Sequence, residues 1–476
     1  MNKRELFFTT AAAMVLMAAF ISCSKDDKDD KDNKNEPVPV ITISTQSAAS
    51  TDVMVGSISG SLTVAASVTE GATLTYQWYN NTSNSNTGGT GISGATAATF
   101  AIPATLTAGT YYYFCEVRAT GATAVRSTAA TVVVAPPADP GTANNPFIIK
   151  TPAELDAMRD NLSAYYKLGN DIDLTDYLAS GAGFAKWGEA GWEPVGNSSG
   201  KFTGGLDGAG YKITDLWMDR TTGYDFGLFG YIEKAIIKNL GIEIAAAGIN
   251  CTGKVGGVAG WADYGKISNC YVTGNISGKD NVGGVIGYGW GSVDKCILTS
   301  CYATGTISGE KYVGGVVGEL AGSMTYCYAT GDVIGTDMNV GGVAGAFGND
   351  NMTYCYATGA VSGDDRVGGV VGTFGGDKMR YCVALNPSVH AKTDTYGCGR
   401  VSGTNPANSF TNNWARMDME VKVGGANKTQ FNKTGNDGAD CAATPATSWW
   451  TTDAPNGPGW SNAGWTFADG QLPELK

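Results

Sequence analysis

One seven-residue motif returns throughout the second half of this 476-residue chain. Lys254-Val255-Gly256-Gly257-Val258-Ala259-Gly260 reappears with its first valine at 282, 313, 340 and 367, at steps of 27, 31, 27 and 27 residues. Each copy continues to a cysteine, at 270, 301, 327, 355 and 382, and then usually to Tyr, Ala, Thr and Gly. The longer step holds an insertion around Cys296-Ile297-Leu298-Thr299-Ser300. A fixed period of this size marks a repeat architecture. Each copy contains three short β runs parted by glycine turns, and none is long enough for a helix. One copy cannot bury its own apolar face, whereas copies stacked about 4.8 Å apart cover one another. The pattern predicts a parallel β-helix.

Alternation along each Cys-Tyr-Ala run assigns the faces. Cys270, Cys301, Cys327, Cys355 and Cys382 fall on the side of Ala303, Ala329, Ala357 and Ala384, small and apolar, and are expected inside. Tyr271, Tyr302, Tyr328 and Tyr356 then stack outside. No Cys-x-x-Cys spacing occurs among these cysteines, so neither a metal site nor any cofactor is expected.

A solenoid needs its ends covered. Thr151-Pro152-Ala153-Glu154 fits a capping box with proline at the first helical position, opening a helix whose Leu155, Met158 and Leu162 share a face. This is the expected N-terminal cap. At the other end the repeats decay after His390, and Trp449, Trp450, Trp460, Trp465, Phe467 and Leu472-Pro473 offer bulk to shield the last rung, or a tryptophan-lined sugar site. Cys398 and Cys441 are a candidate disulfide whose pairing the spacing leaves open.

These repeats resemble GLUG-motif repeats, found in bacterial surface proteins and in stalks of some IgA-specific metalloproteases. The resemblance extends upstream through Asn145-Pro146-Phe147-Ile148-Ile149, Tyr166-Lys167-Leu168 to Asp171-Ile172-Asp173-Leu174, Trp192-Glu193-Pro194-Val195-Gly196 and Phe202-Thr203-Gly204-Gly205-Leu206-Asp207-Gly208. Gly227-Leu228-Phe229-Gly230-Tyr231-Ile232 resembles a degenerate first repeat. The resemblance implies β-helix repeats over 145–395, a cap over 396–476, and a place on a bacterial surface. The protease's zinc motif is absent, so no peptidase activity is implied.

The start of the chain reads as an address. Lys3 and Arg4 precede an apolar run from Leu6 to Phe20, too short to span a bilayer as a helix. Phe20-Ile21-Ser22-Cys23 resembles a bacterial lipobox, which implies a signal peptide over 1–22 and acylation of Cys23; an ordinary signal peptide is the alternative. Residues 23–36 form a charged tether, and Lys25-Asp26-Asp27 resembles the export signal that sends some lipoproteins to the exterior of the outer membrane. No second hydrophobic span follows, so the rest is expected to be soluble and extracytoplasmic. Residues 37–135 carry Leu74-Thr75-Tyr76-Gln77-Trp78-Tyr79 and Tyr113-x-Cys115, which resemble an immunoglobulin-like sandwich with a tyrosine corner. The partner cysteine is missing, so Cys115 is expected to be a buried thiol. This unit reads as a spacer, joined by a linker over 136–144.

Charge and composition narrow the function. Lys and Arg number 32 against 44 Asp and Glu, a net charge of −12 that argues against nucleic-acid partners. One histidine, His390, rules out His-Glu-x-x-His zinc proteases and multi-histidine metal sites. Asp263, Asp294, Glu319, Asp332, Asp350, Asp364, Asp365 and Asp377 are candidate acids for glycan hydrolysis, but they lie mainly at turns and do not recur at one repeat position. No catalytic residues are therefore assigned. The loop after each Val-Gly-Gly carries Trp261 and Tyr264, Tyr288 and Trp290, Leu320, Phe347 and Phe374. Such an edge either seals the solenoid or forms a ligand-binding stripe, with Phe347 and Phe374 better suited to sealing and Trp261 and Trp290 to docking. Three functions fit: a non-enzymatic surface lipoprotein that binds a host or matrix protein, a surface glycan-binding protein of a polysaccharide uptake system, or a polysaccharide lyase or hydrolase.

Overall fold

The computed structural model describes residues 37–136, 139–291, 295–393, 395–404 and 409–476. The signal segment, Cys23, the tether and Asp294 lie outside the described residues. The chain divides into two units at Pro137/Ala138.

In the first unit Ser50–Met54, Ala130–Ala135, Gly109–Ala119, Leu74–Asn81 and Thr90–Gly91 form a sheet in that order, with Val125–Arg126 beside Gly109–Ala119. Ile41–Thr45 pairs with Ala65–Val68, and Ser61–Thr63 with Thr99–Ala101. Trp78, directly opposite Cys115, is fully buried and packs on Phe100 at 5.6 Å. Cys115 is a buried thiol. The tyrosine that bonds back to the preceding loop is Tyr111, not Tyr113: the Tyr111 hydroxyl donates to the Thr107 carbonyl at 3.0 Å. Tyr113 lies on the same face, deeper in the core beside Phe100. Two residues of alternation keep a face, but only Tyr111 stands near enough to the turn to reach it.

The second unit is a parallel β-solenoid, with about eight turns over 205–441. The capping box forms as its residues demand: the Glu154 amide donates to Thr151 Oγ1 at 3.2 Å, and the Thr151 amide to Glu154 Oε2 at 3.0 Å. The helix Pro152–Asp156 buries Leu155, and Met158 follows in the next turn.

Each glycine motif folds into two strands rather than one. Lys254–Val255 and Ala259–Asp263 belong to different sheets, parted at Gly256-Gly257. The glycines are required by crowding. A Cβ on Gly284 would lie 2.3 Å from Ala303 Cβ, and one on Gly318 would lie 2.5 Å from the Asn281 carbonyl carbon. The two strands of the bend thus touch backbone to backbone.

The inner cysteine column is as alternation requires: all five are at most 1% exposed. Neighbouring columns are Val255, Val282, Val313, Val340 and Val367, paired in register.

The C-terminal boundary differs from the expected 396–476 cap. Val383–Ala384 pairs in parallel with Trp414–Arg416, which pairs with Ala439–Cys441, and Ser388–Ala391 pairs with Glu420–Val423. Winding continues because pairing needs only extended backbone and inward apolar residues such as Ala415 and Val421. Cys398-Gly399-Arg400-Val401-Ser402-Gly403 is a sixth, altered copy of the motif, with Cys398 in register with Val367. Arg400 replaces the second glycine, whose Cβ direction points inward, and the interior there has room because no full rung follows. Its guanidinium, 1% exposed, donates to the carbonyls of Asp437 (3.1 Å) and Gly438 (2.8 Å) and pairs with Asp440 at 2.8 Å. Phe431 lies 4.6 Å from it. A buried arginine closes the axis.

The tryptophans therefore do not plug the last rung. Residues 447–476 turn back along the solenoid flank, where Trp450, Trp460 and Trp465 are at most 1% exposed against the tyrosines. Buried rings of this kind offer no sugar platform. Cys398 lies in the main solenoid core and Cys441 in this tryptophan cluster.

Candidate functional site

The aromatic edge separates into two columns on opposite faces. Strand pairing puts Tyr231, Trp261, Tyr288, Glu319, Ala346 and Thr373 in one register. Gly289, Leu320, Phe347 and Phe374 form the other, one residue later. A shift of one position reverses a strand side chain. Leu320, Phe347 and Phe374 are accordingly inside, at most 3% exposed, with the two phenylalanine rings parallel at 5.5 Å. Phe347 and Phe374 are thereby removed from the stripe.

The outward column is a seam over the glycine bend. Trp261 stacks on Tyr231 at 4.8 Å and meets the edge of Tyr288 at 5.2 Å, so neighbours cover its ring. Lys254 Nζ lies 4.5 Å from its centroid and 3.7 Å from the Asp225 carboxylate. The indole N–H donates to Asp263 Oδ1 at 2.7 Å, and the Tyr231 hydroxyl donates to Asp263 Oδ2. One rung on, Asn281 Nδ2 donates to Glu319 Oε2 at 2.9 Å. Burial raises the pKa of Glu319 against the pull of Asn281 and Lys254, and likewise that of Asp225 against Lys254. Burial, aided by the Glu319 and Asp263 charges, pushes Tyr288 up to about 12. This seam is a sealed polar and aromatic zip; the partner Trp261 needed for its N–H is Asp263.

Trp290 is different. It follows Tyr288 on the same outward face and is 39% exposed. Its carbonyl accepts the Tyr264 amide at 2.7 Å, and Tyr264, half-buried at φ 54°, has Lys234 Nζ 5.9 Å from its ring. Trp290 and Tyr264 thus mark the open rim of a seam formed by Tyr231, Trp261 and Tyr288.

Three of the other candidate acids, Asp350, Asp332 and Asp365, serve the fold. Asp350 pairs with Lys295 at 2.7 Å and accepts from Ser323; these bonds outweigh burial and hold its pKa low. Asp332 accepts the Ala360 amide at 2.8 Å, and Asp365 the amides of Arg366 and Tyr396. His390 pairs with Glu420 at 2.9 Å on the outside.

Of two tyrosine columns, the sequence pattern indicates the first and not the second. Tyr271, Tyr302, Tyr328 and Tyr356 stack at 5.3, 4.7 and 4.7 Å, while Tyr326, Tyr354 and Tyr381 stack beside them at 5.2 and 5.0 Å. The second set occupies the left-handed bend before each cysteine, where Asn239, Asn269 and Ser300 stand in earlier rungs. The change to tyrosine coincides with the tryptophan cover, and that switch was the available signal.

A family model, described as the GLUG motif, matches residues 252–277 and 309–334. The chain is 36% identical over 135 residues, 28% of its length, to a protein of Evansella cellulosilytica provisionally named a Gly-rich membrane protein. It is 34% identical over 155 residues, 31% of its length, to halomucin of Haloquadratum walsbyi. It spans only 15% and 2% of those two proteins. Among solved structures, a provisionally assigned immunoglobulin A1 protease from Bacteroides ovatus aligns at 20% identity and a TM-score of 0.49, over 71% of this chain and 94% of that one.

Proposed function

We propose that the chain is a non-enzymatic, surface-anchored binding protein, held by acylated Cys23 and reaching out through an immunoglobulin-like spacer. The single observation behind the binding role is Trp290, an exposed indole on the rim of a seam whose other rings are covered by one another. Exposed aromatic side chains ringed by polar groups are the usual anchors of protein contacts. The acids nearby are engaged in hydrogen bonds and ion pairs that hold the fold, which supports binding rather than hydrolysis. The spacer reading draws on the strand order of 37–136, with Ser50–Met54 parallel to Ala130–Ala135. Surface association is supported by the GLUG matches and by the relative named as a membrane protein.

The partner is a host or matrix protein, because Trp261 is stacked on Tyr231 and edge-on to Tyr288, with Lys254, Asp225 and Asp263 adding charge beside it. Glycan capture is the second reading, favoured only by the open face of Trp290. An array of matrix proteins and glycans probed with residues 37–476, with product formation assayed on each hit, tests both. Protein capture lost in Trp290→Ala is the expected result. Glycan capture alone favours the second reading, and released reducing ends overturn the non-enzymatic one.

A further inference from the structure

The five inner cysteines stand on adjacent rungs of one column. The backbone fixes this: the amide of Tyr302 donates to the Cys270 carbonyl at 3.1 Å, Tyr328 to Cys301 at 3.1 Å, Tyr356 to Cys327 at 3.2 Å and Val383 to Cys355 at 2.9 Å. Strands at rung spacing, about 4.8 Å, place neighbouring Cα atoms within the roughly 4.4–6.8 Å that a disulfide spans. All five thiols point into the same interior, where Cys301 Sγ donates to the Ile267 carbonyl and Cys327 Sγ to the Leu298 carbonyl, each at 3.8 Å. After burial, the neighbouring Cys270 thiol adds to the raised pKa of Cys301, and those of Cys327 and Cys382 to that of Cys355. The structure holds all five as thiols.

We infer that this column is a site of covalent stapling, in which Cys270 bridges Cys301 and Cys355 bridges Cys327 or Cys382, each bond joining one rung to the next. Five cysteines allow at most two bridges, so one thiol remains. Each bridge removes one hydrogen from each of two thiols. The two protons and two electrons pass to a disulfide-bonded oxidant, such as oxidised glutathione, which leaves as two reduced molecules. Attack requires a thiolate, and burial drives the Cys301 and Cys355 thiols well above their ordinary pKa. The closed solenoid is therefore sealed against exchange, and bridging belongs to the period when rungs are docking. Once made, the bonds are shielded from reductant by the same burial.

The full chain is folded with oxidised glutathione, and separately purified from cells with thiols trapped by acid at lysis. Each sample is then unfolded in excess N-ethylmaleimide without reductant and mapped by mass spectrometry. The expected result is a Cys270–Cys301 crosslink and a Cys355 crosslink to Cys327 or Cys382, each two hydrogens lighter than the thiols. Reductant added after unfolding restores five labelled cysteines, and in Cys301→Ala the Cys270 thiol becomes labelled. Complete labelling of all five cysteines in both samples overturns the inference, as does a crosslink from the column to Cys398 or Cys441.

Discussion

The hydroxyl of Tyr356 donates to the carbonyl oxygen of Pro473 at 2.8 Å, joining a mid-solenoid rung to a residue 117 positions later. Around this bond the C-terminal segment lies over two tyrosine columns, with Trp465 5.6 Å from Tyr356 and 6.0 Å from Tyr328. The segment acts as a strap along the flank, tying several rungs together.

Trp465→Ala should therefore destabilise the solenoid by about 3–5 kcal/mol, the range for removing a buried aromatic side chain. Denaturant unfolding followed by tryptophan fluorescence measures it. A loss below about 1 kcal/mol would show the strap to be a loose appendage.

The two aromatic columns should respond oppositely to truncation. Phe347→Ala opens a cavity in the core and is expected to cost about 3–5 kcal/mol. Trp290→Ala, at 39% exposure, should stay within about 0.5–1 kcal/mol of the parent. Thermal unfolding of the two variants side by side separates them.

Glu319 carries a charge that burial disfavours, so its folded pKa lies above its unfolded one. Such a carboxylate weakens the fold once ionised, and stability falls as pH rises through the interval between those two values. Glu319→Gln should stabilise the protein at neutral pH. The advantage should vanish below the ordinary glutamate range, where Glu319 is protonated in both states. Denaturant midpoints at pH 3.5 and 7, by an order-of-magnitude placement either side of the reference carboxylate, read the difference.

The buried Arg400 guanidinium satisfies the carbonyls of Asp437 and Gly438 and pairs with the part-exposed Asp440 carboxylate. Arg400→Gly restores the repeat motif and keeps the backbone amide that serves Asp437 Oδ1, but it leaves the buried carbonyls of Asp437 and Gly438 without their guanidinium donors. A loss of about 1–3 kcal/mol for each buried carbonyl left unsatisfied is expected. If the glycine variant melts with the parent, the closure at Arg400 is dispensable.

Anchoring is tested independently of the fold. Cys23→Ala should release the protein into the soluble fraction, and neutral residues at 25–30 should leave it membrane-bound but protected from external protease. Shaving of intact cells that carry the second variant would contradict the export reading.

The repeat period exposed the solenoid, the inner cysteines and the capping box because each rests on spacing alone. Three features needed three dimensions. The bend at Gly256-Gly257 made two strands from one run, and this backbone contact is invisible to hydropathy. Phe347 and Trp261 fall on one edge by motif spacing, and only strand register separates them by one residue and so onto opposite faces. Arg400 was overlooked because the altered motif hides a glycine replaced by the largest basic side chain, a change permitted only where no further rung needs the space. The tryptophans were recognised as a cover, but composition cannot say whether a cover sits on an end or a side.

The strap also measures length. Among the described residues, the hydrophobic cluster it forms with the solenoid runs from Tyr302 to Trp414. Duplicating or deleting a whole repeat upstream of Tyr302 leaves every one of these contacts at its original spacing, so that part of the array is free to vary in copy number. The same change between Tyr328 and Trp414 shifts the tryptophans out of step with the tyrosines beneath them. Growth of this protein by repeat duplication is thus confined to its N-terminal side, and the distal rungs form a block of constant size.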